Sequence, residues 1–188
     1  MRKTFESFKG NCLNTPDDEA VYCIAYGSNL NEERMKSRCP DAEVYGTSVI
    51  HGYRLLFKHS QTGAYATIEQ DANCSVPVLI YRMTPEDENR LDRFEGYPKY
   101  YYKREFFLPV WNLKRNRRKY RRVCMAYIMW ENRLLGEPSM DYYRLLDDGY
   151  KRWGFNKEWL ARGLEDSIGC KPAERWLKKY DKERDEQK

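Results

Sequence analysis

Short apolar runs, separated by glycine, proline and polar residues, recur through the first two thirds of the chain. Runs of about four to eight apolar or alternating residues between turn signals are typical of strands. Seven strands are predicted, over residues 21–25, 47–50, 53–57, 64–68, 76–83, 103–110 and 123–130. A turn at His51-Gly52 is expected to separate the second strand from the third.

Helix signals concentrate in the second half of the chain. One short helix is expected earlier, capped by Asn31 and ended by the Cys39-Pro40 step, because a residue before proline avoids helical angles. Thr84-Pro85 supplies a cap and a proline at the first helical position, so a helix is predicted from there to Gly96. Three further helices are expected to begin near Ser139, Asn156 and Pro172.

This order of elements favours an α+β fold, with strands first and helices last. We expect a small, mostly antiparallel sheet or barrel rather than a doubly wound βαβ fold. The 188 residues fit one domain. The predicted organisation is a polar lead-in over residues 1–20, a domain over 21–168 and a charged C-terminal helix or tail over 169–188.

Composition narrows the classes of function. The 16 tyrosines raise the aromatic share to 15%, which predicts a pocket with hydroxyl groups around it. Six scattered cysteines without a C-x-x-C motif, and only two histidines, argue against a metal site and a disulfide framework. The chain has no apolar run of about 18 residues and no signal-peptide pattern, so we expect a soluble cytoplasmic protein without a membrane partner.

Positive charge is concentrated in one segment. The formal net charge is +5, and seven of the nine residues over 114–122 are basic. This segment could attract nucleic acid or an acidic partner. A solvated hairpin tip is the favoured interpretation, because the segment lies between two predicted strands and shows no sequence signature of a nucleic-acid-binding fold.

The first candidate for chemistry is Gly27-Ser28-Asn29, which follows the first predicted strand and precedes a helix. A strand that ends in such a turn presents backbone N–H groups and short polar side chains at one point, where they can bind an anion or an oxyanion. The alternative is ordinary turn chemistry, since these residue types are common in turns.

The second candidate is Glu95. It shares a helix face with Leu91 and Phe94, which stand four residues and one residue before it. A carboxyl group buried on such a face has a raised pKa and suits general acid/base catalysis near neutral pH. The alternative is a glutamate at the helix end that faces solvent or pairs with Arg93 or Lys99.

Together these features resemble the γ-glutamylcyclotransferases. The resemblance covers about residues 21–164 in the family's order and rests on several motifs. The matching residues are Tyr26-Gly27-Ser28-Asn29-Leu30, Ala66-Thr67-Ile68, Leu91-Asp92, Glu95-Gly96, Tyr102, and Pro138 to Tyr142 with Gly149. One departure concerns the place where the family usually has a glycine, two residues before Tyr102. Tyr100 stands there in this chain.

The resemblance implies a γ-glutamylcyclotransferase-like fold, which is a small mixed, mostly antiparallel β-barrel with flanking helices, and no cofactor. Its substrate would be a small γ-glutamyl amide, whose α-amine attacks its own γ-carbonyl to give 5-oxoproline and a free amino acid or amine. By the same resemblance Glu95 is the catalytic acid/base. The residues implied to bind the γ-glutamyl group are Cys23, Ile24, Ala25, Tyr26, Gly27, Ser28, Asn29, Tyr102 and Tyr142.

A rival hypothesis is a catalytically idle member of this fold. It would bind an acidic or nucleic-acid partner through the basic segment 114–122. The sequence alone does not identify the amine or amino-acid portion of the substrate, the oligomeric state or the pathway.

Overall fold

A closed β-barrel is the centre of the molecule. The computed structural model describes residues 19–112 and 117–186. Within these ranges the strands are β1 (Val21–Ala25), β2 (Glu43–His59), β3 (Ala64–Met83), β4 (Tyr101–Asn112) and β5 (Arg117–Met129). The helices are α1 (Glu32–Arg38), α2 (Pro85–Glu95), α3 (Met140–Trp153), α4 (Lys157–Ile168) and α5 (Cys170–Glu186). A 3₁₀ turn, Ser28–Leu30, lies between β1 and α1.

The barrel order is β1-β3-β2-β4-β5. Neighbouring strands pair antiparallel, apart from a parallel contact between β1 and β5 at Cys23 and Met125. The pair Thr47 and Trp111 joins β2 to β4. The prediction of an α+β fold with a mixed, mostly antiparallel barrel is therefore confirmed.

The predicted break at His51-Gly52 was wrong. Both segments around it belong to β2, and the predicted strands over 64–68 and 76–83 belong to the single strand β3. Gly52 adopts a φ of 78°, and the pairing jumps there from His51 with Ser75 to Tyr53 with Gln70. The glycine thus allows a bulge in a long hairpin, because it can adopt left-handed backbone angles without a steric penalty.

The predicted caps are present at the helix ends. The side chains of Asn31, Thr84, Ser139 and Asn156 each accept a hydrogen bond from a backbone N–H in the first turn of the helix that follows. The last helix begins at Cys170, two residues before the predicted start. Pro172 lies within its first turn, where a missing N–H removes no intrahelical bond.

An aromatic cluster attaches α5 to α3. The ring of Tyr143 lies 4.8 Å from that of Trp176 and 5.1 Å from that of Tyr180. The hydroxyl of Tyr180 donates to Asp147 of α3 at 3.1 Å, and Lys157 Nζ lies 2.5 Å from the same carboxylate. The last helix therefore adds a buried aromatic face to the core, while its other side chains are mostly charged.

The predicted hairpin around the basic segment exists, since β4 and β5 pair antiparallel up to Asn112 and Arg117. Three stretches lie outside the described residues: residues 1–18 of the lead-in predicted over 1–20, residues 114–116 at the start of the basic segment, and the side chains over 117–120. No helix in the described ranges is both long and apolar enough to cross a membrane.

Trp176→Ala is expected to lower the free energy of unfolding by about 3 kcal/mol or more, because it removes a large ring from the cluster that joins α5 to α3. Urea unfolding of the full chain measures this. Trp130→Ala is the matched control: its side chain is 42% exposed, so a loss near 1 kcal/mol is expected. Equal losses in the two variants would contradict the packing role of α5.

Candidate active site

The turn after β1 is held from several directions. The hydroxyl of Tyr81, on β3, donates to the carbonyl of Asn29 at 3.0 Å. The indole of Trp153, at the end of α3, donates to the carbonyl of Leu30 at 2.8 Å. The Leu30 side chain is buried against Gly149 of α3, where an added Cβ would lie 2.7 Å from that of Leu30. The turn is therefore fixed relative to both the barrel and α3.

Tyr142 of α3 lies against both β3 and the turn after β1. Its hydroxyl accepts the backbone N–H of Ala66 at 3.1 Å. A Cβ at Gly27 would lie 3.3 Å from this hydroxyl and 3.4 Å from the Ala66 methyl group. Glycine at position 27 thus allows a close approach of the turn to Tyr142, and its φ of −118° is open to any residue.

Glu95 is the last residue of α2, which ends at Gly96 in the left-handed conformation. Its Oε1 accepts a hydrogen bond from Asn29 Nδ2 at 3.2 Å, across 66 residues of sequence. Leu91 is fully buried, as predicted for this helix face, but the prediction for Phe94 was wrong because its side chain is 57% exposed. The Phe94 ring instead covers the Arg38 guanidinium, whose central carbon lies 3.6 Å from the ring centroid.

The pKa of Glu95 is raised above its ordinary value. Burial is the main cause, since it disfavours the charged carboxylate. The positive charge of Arg38 and the hydrogen bond from Asn29 act in the opposite direction and lower the pKa. Glu95 is thus a desolvated carboxyl group with one amide donor and one nearby cation.

A cavity of 670 Å³ opens in front of the turn and Glu95. Six tyrosines are among the residues of its wall. Burial raises the pKa of Tyr101 and of Tyr142, so both phenols remain protonated near neutral pH. The wall is formed by Ile24, Ala25, Tyr26, Gly27, Ser28, Asn29, Arg34, Arg38, Ser60, Gln61, Thr62, Tyr65, Ala66, Arg93, Phe94, Glu95, Gly96, Tyr100, Tyr101, Tyr127, Ser139, Asp141, Tyr142 and Leu145.

Most of the predicted site residues meet at this cavity. The consecutive residues from Ile24 to Asn29, together with Glu95 and Tyr142, lie in its wall. Cys23 and Tyr102 lie outside it. Cys23 is buried in the core, and the hydroxyl of Tyr102 donates to Glu131 Oε1 at 2.6 Å.

Sequence reasoning missed Tyr101 and Arg38. Successive side chains of a strand point to opposite faces, so of the neighbouring tyrosines on β4 it is Tyr101 that reaches the cavity. The run Tyr100-Tyr101-Tyr102 indicated that a tyrosine could reach the cavity, but it did not show which residues of β4 face inward. Arg38 Nη1 donates to Ser28 Oγ at 3.1 Å and also to Asn29 Oδ1. No local pattern in the sequence indicates these contacts.

No three His, Cys, Asp or Glu side chains among the described residues are placed to hold a metal ion. The arrangement instead offers the partly buried carboxyl group of Glu95 for proton exchange, facing a turn that can hold an oxygen. The other carboxyl group of the wall, Asp141, is exposed. A closed five-stranded barrel with helices around it and this cavity at the end of its first strand is the γ-glutamylcyclotransferase-like fold.

Comparison with known proteins agrees with that fold. The family model described as "Gamma-glutamyl cyclotransferase, AIG2-like" matches residues 23–151. The chain therefore belongs to the gamma-glutamyl cyclotransferase, AIG2-like family.

Individual relatives cover most of the chain. A Homo sapiens protein named gamma-glutamylcyclotransferase is 30% identical over 155 residues, which are 78% of this chain and 79% of the relative. A Bos taurus protein of the same name is 27% identical over 157 residues, 80% of each chain. A solved structure named gamma-glutamyl cyclotransferase is similar with a TM-score of 0.66 and 26% identity, over 86% of this chain and 99% of that one.

Glu95→Gln is expected to stabilise the protein at about pH 8. Because the folded state holds the Glu95 proton more tightly than the unfolded chain, Glu95 favours folding below the unfolded pKa, and this contribution is lost as pH rises through the folded pKa. The gain in the variant should approach about 1.4 kcal/mol for each unit of pKa difference. It should disappear at about pH 3, below both pKa values.

Urea unfolding of both proteins at the two pH values measures this difference. Glu86→Gln, which changes an exposed residue in the first turn of the same helix, is the control and should not gain stability at the higher pH, because a carboxylate is favoured at a helix N-terminus. A Glu95→Gln protein less stable than wild type at the higher pH would argue that the carboxylate is not desolvated.

Proposed function

We propose that this protein cleaves a γ-glutamyl amide by intramolecular cyclisation, giving 5-oxoproline and a free amino acid or amine. One observation carries the proposal. The partly buried carboxyl group of Glu95 is hydrogen-bonded to Asn29 at 3.2 Å, in a cavity whose wall includes the Gly27-Ser28-Asn29 turn. Family membership supports the reaction class.

Glu95 serves as both base and acid in this proposal. The α-ammonium of the substrate loses a proton to the carboxylate, and its nitrogen then forms a bond to the γ-carbon. The amide bond breaks as the same proton passes from Glu95 to the leaving nitrogen. The carboxylate formed again then accepts the second proton of the ring nitrogen and passes it to the released amine, which leaves the ring amide neutral. A pKa raised by burial suits both steps, since it lies closer to neutral pH than that of an exposed glutamate.

The turn after β1 is proposed to bind the oxygen on which negative charge develops. The first N–H groups of a helical turn have no partner within that turn, so they are available to an oxyanion. Ser28 Oγ accepts a hydrogen bond from Arg38, which leaves the hydroxyl proton available for donation into the cavity.

The rate of cyclisation also gains from proximity, because the attacking amine and the carbonyl belong to one molecule. Intramolecular attack reaches effective molarities of about 10⁵–10⁸ M.

The consecutive residues from Ile24 to Asn29, together with Tyr142, are proposed to hold the γ-glutamyl group. Tyr101 joins them as a hydroxyl donor, since it lies in the wall. Cys23 and Tyr102 lie outside the wall, so they are proposed to support the wall residues rather than to contact the substrate. Tyr100 also lines the cavity and is proposed to shape the side that receives the leaving amine.

Glu95→Gln should retain the fold and substrate binding but lower kcat at least about 10²-fold, because it removes the group that moves the proton. A panel of γ-glutamyl α-amino acids and γ-glutamyl amines, assayed for 5-oxoproline, tests the reaction and identifies the preferred leaving group. Glu86→Gln on the same helix is the control and should turn over at the wild-type rate. Near-wild-type kcat in folded Glu95→Gln would exclude the proposed mechanism.

A further inference from the structure

Arg38 makes contacts that the motifs of the sequence do not include. It is the last residue of α1, and its Nη1 donates to Ser28 Oγ at 3.1 Å and also to Asn29 Oδ1. The guanidinium is partly buried, and the ring of Phe94 covers one face at 3.6 Å from the centroid to the central carbon. One side chain therefore contacts both the turn after β1 and the helix that ends in Glu95.

These hydrogen bonds determine which end of the Asn29 amide faces Glu95. A guanidinium has only donors, so the amide atom that faces Arg38 must be the carbonyl oxygen. The amide nitrogen is then directed to Glu95 Oε1, which it contacts at 3.2 Å. If the amide turned over, its oxygen would face the Glu95 carboxylate, which is repulsive for the charged form.

We propose that Arg38 is a positioning residue for Glu95, acting through Asn29 to keep an N–H donor on the carboxylate. Any consequence of this role for catalysis rests on the proposed function. Its consequence for the hydrogen bonding and the pKa of Glu95 does not. Arg38 also brings a positive charge close to a buried acid, so it favours the charged state that accepts a proton.

The other titratable groups around Glu95 do not supply this charge. Several elements pack against it, and the groups they present are mainly phenols and thiols, whose raised pKa values keep them neutral near pH 7. Arg34, Arg93 and Asp141 also line the cavity, and all three are exposed. Arg38 is the cation whose charge lowers the Glu95 pKa, against the larger effect of burial. The neighbouring neutral groups are Cys23 and Tyr26 on β1, Tyr101 on β4 and Tyr142 on α3.

The exposed ring of Phe94 has an explanation in this arrangement. A ring face attracts a guanidinium, most strongly where water is partly excluded. Phe94 directly precedes Glu95, so the Arg38 contact joins the end of α1 to the end of α2 next to the carboxyl group. We therefore expect Phe94 to restrict the guanidinium to the position from which it reaches Asn29.

The test is a direct titration of the Glu95 carboxyl group by ¹³C NMR in the full chain, with Glu95→Gln to assign the resonance. Arg38→Met should raise the Glu95 pKa by at least about one unit, because it removes both a close opposite charge and the orienting bond. Lys36→Met is the matched control. Lys36 lies on the same helix, and its Nζ donates to the Pro40 carbonyl at 3.1 Å, so the Glu95 pKa should not move.

A second pair of variants tests the route through Asn29. Asn29→Ala alone should also raise the Glu95 pKa, because it removes the donor. Adding Arg38→Met to Asn29→Ala should then shift the pKa by less than Arg38→Met does in the wild-type chain, since coupled residues are not additive. Equal shifts in the two backgrounds would contradict positioning through Asn29.

Phe94→Leu is a milder variant and should move the Glu95 pKa in the same direction by a smaller amount. An unchanged Glu95 pKa in Arg38→Met, or in Phe94→Leu if the former does not fold, would overturn the proposal. The acid limb of the kcat/KM profile for 5-oxoproline release should move with the NMR value. If no γ-glutamyl compound is turned over, the proposed function fails, while the NMR titration still decides the role of Arg38.

Discussion

The hydrogen bond between Asn29 and Glu95 connects the parts of this molecule that come together at the cavity. A carboxylate removed from water requires a donor, and the cost of leaving it without one is several times the worth of an ordinary hydrogen bond. Asn29, in the turn that follows the first barrel strand, supplies that donor: its Nδ2 lies 3.2 Å from Glu95 Oε1. The positions of the turn, of α1 and of the end of α2 are therefore coupled to the state of one carboxyl group.

Other parts of the fold hold the two partners of this hydrogen bond in position. Tyr81 and Trp153 bind the two carbonyls of the turn, and Leu30 is buried where α3 has glycine. Arg38 then sets the orientation of the amide. A rigid support of this kind suits a group that exchanges protons, because a small displacement of the donor would change both the reach and the pKa of the acid.

Local patterns in the sequence were enough to predict a mostly antiparallel sheet or barrel, the helix caps and the contrast between the buried strands and the polar turns, and the family resemblance added the barrel. They could not predict features set by contacts distant in sequence. The exposed position of the Phe94 side chain is explained by its contact with Arg38, and helical periodicity cannot reveal such a contact. The choice between Tyr101 and Tyr102 depends on a one-residue register, which decides the face of every side chain in a strand. Gly52 signalled an irregularity, but whether it bends one strand or separates two depends on the pairing with β3.

The most direct test of the account is a crystal structure of the protein with 5-oxoproline. The account predicts that the ring nitrogen lies within about 3.2 Å of a Glu95 carboxyl oxygen, the range for proton transfer. The ring carbonyl oxygen should face the N–H groups of the Gly27-Ser28-Asn29 turn. 5-Oxoproline bound elsewhere, or bound with Glu95 turned away from its nitrogen, would contradict the central claim that this carboxyl group and this turn form one reaction site.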